Sequence, residues 1–497
     1  MVKPDPDSSA RRRAPTLGDL AAAIGLDAGN FSDVPIAGVS ADSRAVRQGF
    51  AFFAMPGTRT DGAAFIPQAV KAGAIAVIGA GERPADLDRL VFYLRTPEPR
   101  RALALAAALA HPGQPETLIA VTGTAGKTSV AEFTRQVYAA CGRRAASLGT
   151  LGLIGPEGAE YGALTTPDPV TLHRHLDRLA REGVTHCAME ASSHGLDQAR
   201  LDGVRIRAAG FTNLGRDHLD YHPDIAHYFQ AKLRLFEALL PEGAPAVINL
   251  DGDRGAEAAV AAGFAGRRVL TVGRRGQFIR VEHVESGPEG QRMTLEHGGG
   301  FHDVILPLVG AFQIENALVA AGLALATGEA PERVFPALAA LRGVPGRLEL
   351  VGRVRGAPVF VDYAHKPEAL SYALAALRPF VTGRLIVVFG CGGDRDAGKR
   401  PIMGRIAGAQ ADLVIVTDDN PRSEDPAAIR AAIRAAVPDA LEIGDRAEAI
   451  AQGVRLLRPG DALLIAGKGH ETGQIVGGET LPFSDHDVAR AAIEVLA

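Results

Sequence analysis

Short runs of β-branched and aromatic residues alternate with longer Ala/Leu-rich stretches along nearly the whole chain. That alternation predicts an α/β protein built on largely parallel sheets. Early runs predict strands over 50–54, 75–78 and 91–94, followed by a helix over 99–110. His-Pro-Gly-Gln-Pro-Glu at 111–116 ends that helix with two prolines and a glycine. The next block opens on the strand LIAVT (118–122) and carries VTHCAME (184–190) and PAVINL (245–250). Over 280–309, Gly-rich turns separate short alternating strands, and an Ala-rich helix follows over 314–326. Arg-Gly-Val-Pro-Gly-Arg at 342–347 is a second break. Beyond it, VFVDYA (359–364), RLIVVFG (384–390), DLVIVTD (412–418) and ALLIAG (462–467) read as strands buried on both faces. The breaks divide the chain into a disordered tail (1–13) and three domains, 14–113, 114–343 and 344–497.

A length of 497 residues agrees with several cores rather than one. Apolar residues make up 47% and charged residues 22%, which excludes a mostly disordered or fibrous chain. Lys and Arg number 53 against 57 Asp and Glu, a net charge of −4, so no global field draws nucleic acid or an anionic membrane. The three cysteines, Cys141, Cys187 and Cys391, lie far apart and outside any CxxC, which excludes a disulfide framework or a cysteine zinc site and fits a reducing compartment. No apolar stretch reaches the ~18–20 residues of a membrane span. The opening MVKPDPDSSARRR lacks the apolar segment of a secretory signal. The expectation is a cytoplasmic protein, not inserted in a membrane.

The strongest chemical signal is Val121-Thr-Gly-Thr-Ala-Gly-Lys-Thr-Ser129, an apolar strand running through glycines into a helical pattern. Gly123 and Gly126 let backbone N–H groups face phosphate oxygens, and the helix start adds its positive end. Lys127 supplies a point charge to terminal phosphates, and the Thr128 hydroxyl is placed to ligate Mg²⁺. Val121 stands five residues before Gly126, so this is a shortened variant of the G-x-x-x-x-G-K-[ST] loop. ATP or GTP binding by a P-loop-type central domain follows. Glu190 closes the VTHCAME strand, where α/β proteins bind ligands. Downstream, Thr212-Asn-Leu-Gly-Arg-Asp-His-Leu-Asp-Tyr-His222 packs two Asp and two His into eleven residues.

Together with Ala191-Ser-Ser-His-Gly-Leu196 after Glu190 and Asp362-Tyr-Ala-His-Lys-Pro367, these motifs resemble the Mur ligases, ATP-dependent amide-forming enzymes of peptidoglycan assembly, and the related folylpolyglutamate synthetases. The resemblance runs in order over nearly the whole chain after the tail. It implies an N-terminal α/β uridine-nucleotide domain, in which Val39-Ser-Ala-Asp-Ser-Arg44 and the turn at 56–62 hold the nucleotide, with Ser43 as a contact. It implies ATP contacts at Gly123, Thr124, Ala125, Gly126, Lys127, Thr128, Ser129, Asn316, Arg347 and Asp362. Thr165, Thr166, Ser192, Gln198 and Arg200 match residues that contact the muramoyl-dipeptide or its pyrophosphate. Lys127, Glu190, His218 and Lys232 match the catalytic set, with Mg²⁺ on Thr128, Glu190, His218 and a CO₂-derived carbamate on Lys232. Such a carbamate needs an unprotonated amine, so cations near Lys232 must depress its pKa. Ala125 and Leu164 stand where relatives often carry Asn.

In the Rossmann-like third domain, Gly392-Gly-Asp-Arg-Asp396, Asp419-Asn-Pro-Arg422 and Gly467-Lys-Gly-His-Glu471 resemble the members that add meso-diaminopimelate to UDP-N-acetylmuramoyl-L-alanyl-D-glutamate. Arg395, Asp419, Asn420, Pro421, Arg422, Gly467 and Glu471 are then the amino-acid contacts. Diaminopimelate carries a second carboxylate that lysine lacks, and a guanidinium grips a carboxylate with two charge-assisted bonds. The implied substrates are therefore ATP, the nucleotide dipeptide and diaminopimelate, handled by a monomer. A lysine-adding ligase, a folylpolyglutamate synthetase, a P-loop ATPase without an amine acceptor and a non-catalytic nucleotide-binding module are the other readings.

Overall fold

The computed structural model describes residues 14–57, 61–162, 164–218, 220–287 and 290–496. The tail expected over 1–13 and the middle of the 56–62 turn, 58–60, lie outside the described residues. Chain packing divides the molecule into two compact units, 1–271 with 322–329, and 272–321 with 330–497.

The first unit begins with a four-stranded parallel sheet, Gly38–Ser40, Phe50–Ala54, Ala74–Gly79 and Phe92–Arg95, in chain order. The alternation of the strands decides which side chains go to which face: Ala51, Phe53 and Ile78 pack under the helices Leu17–Ala23 and Pro99–Ala110, while Phe52, Ala54 and Val77 pack against Ile66 and Ala69. Thr16 and Asp19 close a capping box on the first helix.

The same unit holds a larger sheet in the order Pro245–Asn249, Ile206–Phe211, Thr117–Thr122, His186–Glu190, Ala145–Gly149, Gly152–Gly155, Gly158–Glu160. Its first five strands run parallel, and the last two turn back as hairpins. Thr117–Thr122 lies in the middle, and Leu118, Ile119, Ala120 and Val121 are fully buried, as the unbroken apolar run requires.

In the second unit, the β-rich excursion is the antiparallel set Ile279–Gly287, Gly290–His297 and Gly300–Leu306. The six-stranded sheet follows the order Glu349–Val354, Ala357–Asp362, Ala462–Ala466, Leu385–Phe389, Leu413–Val416, Leu441–Glu442. It is parallel except for the edge strand Glu349–Val354, and apolar cores cover both of its faces. The Ala-rich helix begins at Ala311, three residues before the expected 314.

Candidate functional site

Strand register builds the phosphate site. Val121 pairs with Glu190 and Thr122 with Phe211, so the segments after these three strands leave one sheet edge side by side. Gly123 (φ 147°) and Gly126 (φ 86°) turn the loop in the left-handed region. A Cβ on Gly123 would lie 1.8 Å from Thr212 Oγ1, so no side chain fits there. The loop is braced from the neighbouring strand end. The Thr124 N–H donates to Asn213 O at 2.9 Å, the Ala125 N–H donates to Asn213 Oδ1 at 3.0 Å, and the Thr212 hydroxyl donates to Ala125 O at 2.6 Å. Ala125 thus serves through its backbone. The helix Lys127–Ala140 starts from Gly126 with no side-chain cap, leaving its first N–H groups to face a ligand.

Thr128 Oγ1 donates to Glu190 Oε2 at 3.1 Å. Glu190 is buried and also accepts the Thr150 N–H on Oε1 at 2.7 Å and the Thr150 hydroxyl on Oε2 at 3.3 Å. Gly149 makes the space, since a Cβ there would stand 2.1 Å from Oε1. Two ammonium groups converge on one oxygen: Lys127 Nζ and Lys232 Nζ donate to Gly123 O at 2.9 and 2.7 Å. Lys232 comes from the helix Ile225–Arg234, is 1% exposed, and lies 4.3 Å from the centre of the Tyr228 ring. Burial first, and then the Lys127 charge, hold its amine well below the usual ammonium range, with Asp217 opposing. His218 sits at φ 54°, edge-on to the His194 ring at 4.8 Å, with its Nε2 3.7 Å from Asp217. Among the described residues, no three His, Cys, Asp or Glu side chains converge as metal ligands.

Beside Glu190, the expected dipeptide contacts form one connected network. The Thr166 hydroxyl donates to Glu190 O at 3.0 Å and accepts from the Ser192 N–H and hydroxyl. Arg200 donates to Thr166 O at 2.7 Å and grips Gln198 Oε1 through Nε and Nη2. Thr165 meets Thr150 at 3.1 Å between hydroxyls. Ser43 is elsewhere, donating to Gln68 Oε1 at 2.9 Å in a cavity of about 1120 Å³ that Arg44, Phe50, Asp168 and Arg174 also line.

The second unit repeats the edge logic. Asp362 pairs with Ala466, and Phe389 with both Ala466 and Val416, so the segments after 362, 389, 416 and 466 leave one sheet edge. Arg422 (φ 53°) donates through Nη1 to Gly393 O at 2.7 Å, and a Cβ on Gly392 would stand 2.7 Å from that Nη1. The hairpin Gly473–Val476/Glu479–Pro482 supports it, since the Arg422 N–H donates to Ile475 O and Arg422 O accepts from the Gly477 N–H. Asn420 Nδ2 donates to Glu471 Oε2 at 3.0 Å, while Asp419 Oδ2 is buried without a partner among the described residues and lies 2.6 Å from where a Gly467 Cβ would be. Pro421 bridges Asn420 and Arg422 in this segment, and Arg395 is exposed.

Of the expected nucleotide contacts in this unit, Arg347 lies 5.1 Å from the centre of the Tyr363 ring, and Asn316 donates to Gln313 Oε1 at 3.3 Å. Asp362 accepts the N–H groups of Leu348 and Ala364 on its two oxygens at 2.7 and 2.8 Å, and burial pushes its carboxyl up to about 6. Its carboxylate orders the backbone at Leu348 and the segment that leaves the strand at Ala364.

Sequence reading missed Thr150, Asn213, Lys468 and Arg446. Asn213 and Lys468 lay inside motifs already singled out, where attention went to charged or glycine neighbours. Arg446 follows a helix-capping aspartate, yet its buried guanidinium pairs with Asp485 and donates to Asp418 O and Ala466 O. Nothing in its local spacing announces that.

A phosphate loop braced by a carboxylate on the adjoining strand, with a charged cradle at the edge of a second parallel sheet, defines a nucleotide-dependent α/β enzyme. Three family models match in order: "Mur ligase family, catalytic domain" at 35–133, "Mur ligase middle domain" at 121–324 and "Mur ligase, glutamate ligase domain" at 346–469. The chain belongs to the Mur ligase family of ATP-dependent ligases. It is 60% identical over 462 residues to the UDP-N-acetylmuramoyl-L-alanyl-D-glutamate–2,6-diaminopimelate ligase of Bradyrhizobium diazoefficiens, covering 92% of this chain and 95% of that one. The Brucella melitensis ligase of the same name is 58% identical over 469 residues, 94% of this chain and 96% of the relative. A solved structure of a ligase with that name superposes with a TM-score of 0.74 at 33% identity, covering 97% and 99% of the two chains. A Mycobacterium tuberculosis folylpolyglutamate synthase shares the fold at 21% identity and a TM-score of 0.59, over 74% of this chain and 92% of its own.

Proposed function

We propose that this chain joins meso-diaminopimelate to the D-glutamyl γ-carboxylate of UDP-N-acetylmuramoyl-L-alanyl-D-glutamate at the expense of ATP, as the names of its relatives state for them. The observation that carries the ligase chemistry is the convergence of Lys127, Thr128, Glu190 and Lys232 around one loop. Amide formation from a carboxylate in water is uphill. The γ-carboxylate oxygen therefore attacks the terminal phosphorus of ATP, releasing ADP and forming an acyl phosphate. The free amine of diaminopimelate then attacks the acyl carbon, and the tetrahedral intermediate expels phosphate. Lys127 and the helix N-terminus neutralise the terminal phosphates, and the work is mostly positioning and charge stabilisation.

A magnesium ion fits here although few protein ligands converge, because Mg²⁺ takes most of its ligands from water and phosphate oxygens. Thr128, Glu190 and His218 would hold it, and it would supply charge neutralisation at the phosphates. The carbamate fits Lys232 on the same kind of observation: its amine is buried beside a second ammonium, which favours the uncharged form. A carbamate nitrogen keeps one N–H, so the bond to Gly123 O survives the modification.

Thr165, Thr166, Ser192, Gln198, Arg200 and Ser43 would hold the nucleotide dipeptide. Asn316 and Arg347 would meet ATP, with Asp362 shaping their surroundings. Arg422 and Arg395 would grip the far carboxylate of diaminopimelate, and Glu471 its ammonium, within the cradle of Asp419, Asn420, Pro421 and Gly467. Domain limits of 14–113, 114–343 and 344–497, a monomeric state and a cytoplasmic location belong to the same reading. It is supported by nucleotide substrates and by three buried free thiols. Among the described residues, no helix is long and apolar enough to cross a membrane. Mass spectrometry of the nucleotide after incubation with ATP and diaminopimelate tests the reading. A gain of one diaminopimelate less one water is expected, and an unchanged nucleotide alongside ATP consumption contradicts it.

A further inference from the structure

Lys468 is fully buried between two glycines that no other residue could replace without displacement. Gly467 (φ 123°) passes Asp419 so closely that a Cβ would stand 2.6 Å from Oδ2, and a Cβ on Gly469 (φ 53°) would stand 2.7 Å from Tyr363 Cβ. Held on both sides, the segment turns the Lys468 side chain inward. Its ammonium donates to Asn420 Oδ1 at 2.9 Å and to Glu471 Oε2 at 3.1 Å. Asn420 Oδ1 also accepts the Ile475 N–H at 2.9 Å, and Asn420 Nδ2 donates to the same Glu471 Oε2 at 3.0 Å.

This pattern has two consequences. With two donors aimed at Oδ1, the Asn420 amide has a single orientation, because a flipped NH₂ would face an ammonium and an N–H. Glu471 accepts both bonds on Oε2, which leaves Oε1 without a partner among the described residues on a side chain 33% exposed. A buried ammonium is costly, and an apolar side chain would fill the same space more cheaply. Among the described residues, the charge hydrogen-bonds to Asn420 and Glu471 alone.

We infer that Lys468 is a positioning residue for the amino-acid substrate: it locks the Asn420 amide and turns the free oxygen of Glu471 toward the substrate ammonium. The inference rests on the diaminopimelate reading above and adds a residue to it. The test is steady-state phosphate release by the full chain in Lys468→Met, varying meso-diaminopimelate, ATP and the nucleotide dipeptide in turn. The KM for diaminopimelate rises about ten- to hundredfold, while the KM values for ATP and the nucleotide stay within about threefold. In a double-mutant cycle with Glu471→Gln, the two effects on that KM are less than additive, because both act through one carboxylate. Lys468→Gln, which keeps one amide donor in the slot, gives an intermediate KM and preserves the measurement if the methionine variant does not fold. A lowered Tm with an unchanged KM for diaminopimelate, or equal changes in all three KM values, overturns the inference. Absence of diaminopimelate-dependent turnover in the unaltered protein overturns the substrate reading instead.

Discussion

Two ammonium groups on the Gly123 carbonyl oxygen repel each other in a buried place, and the strain is relieved if one of them loses its charge. Burial, and then the Lys127 charge, lower the pKa of Lys232, which favours its uncharged form. Incubation with ¹³C-bicarbonate is expected to produce a carbamate carbon resonance that Lys232→Met abolishes; persistence of the signal in that variant would place the modification elsewhere. The guanidinium of Arg422 gives a second expectation. Arg422→Ala should reduce the preference for diaminopimelate over lysine by roughly a hundredfold, since a site built for a carboxylate is left unpaired without one. An unchanged preference in competition assays would contradict the clamp. His173 sets a stability expectation. It is fully buried, donates through Nε2 to Asp202 O at 3.1 Å, and burial lowers its pKa to about 4 from 6.5. The folded state resists the proton that the unfolded chain accepts, so this contribution is complete above pH 6.5 and is lost as pH falls toward 4. His173→Gln should flatten the fall in thermal stability across that window by on the order of 3 kcal/mol. An equally steep fall in the variant would assign the acid sensitivity to other groups. At this scale, chemically distinctive residues were legible: Thr128 bonds Glu190, and Lys127 meets Lys232 at the Gly123 carbonyl oxygen. Thr150 and Lys468 were not, because what matters in them is a backbone N–H bonded to distant Glu190 and a buried ammonium whose inward turn is set by distant Asn420 as well as nearby Glu471.

The strands at the centre of each sheet announce themselves by unbroken apolar runs, and LIAVT and ALLIAG fall within a residue of their observed bounds. Two pieces that escaped, Ile206–Phe211 and Ala145–Gly149, lie inside the larger sheet but are Ala- and Gly-rich rather than β-branched, and others are edge elements. Glu349–Val354 and the hairpin Gly473–Val476/Glu479–Pro482 are half-exposed or exposed, so their residues carry little apolar pattern. Yet the hairpin supports Arg422 through two backbone bonds. Register, which local sequence does not carry, is what sets Glu190 beside the phosphate loop and Asp362 beside Ala466. Gly149 shows how narrow the tolerance is. Gly149→Ala would push the Glu190 carboxylate off its donors, and a loss of turnover of roughly a hundredfold is expected with the circular dichroism spectrum retained. Wild-type turnover in that variant would remove Glu190 from the machinery.

At the scale of the whole molecule, the proposed contacts for the nucleotide dipeptide and for diaminopimelate belong to different compact units. Joining their substrates is expected to proceed with closure of the protein around them, which excludes water. Small-angle scattering should show a smaller radius of gyration with a non-hydrolysable ATP analogue and the nucleotide dipeptide bound than without them; equal radii would contradict closure. The chain carries three Mur ligase family domains in order, matched at 35–133, 121–324 and 346–469. The compact units divide elsewhere, at 271 and at 322–329. The central claim, amide ligation specific for diaminopimelate, is tested most directly by phosphate release with ATP, Mg²⁺ and UDP-N-acetylmuramoyl-L-alanyl-D-glutamate, with meso-diaminopimelate or L-lysine added in parallel. Turnover that depends on diaminopimelate and is absent with lysine is the predicted result. Phosphate release indifferent to either amine, or driven by lysine, would contradict it.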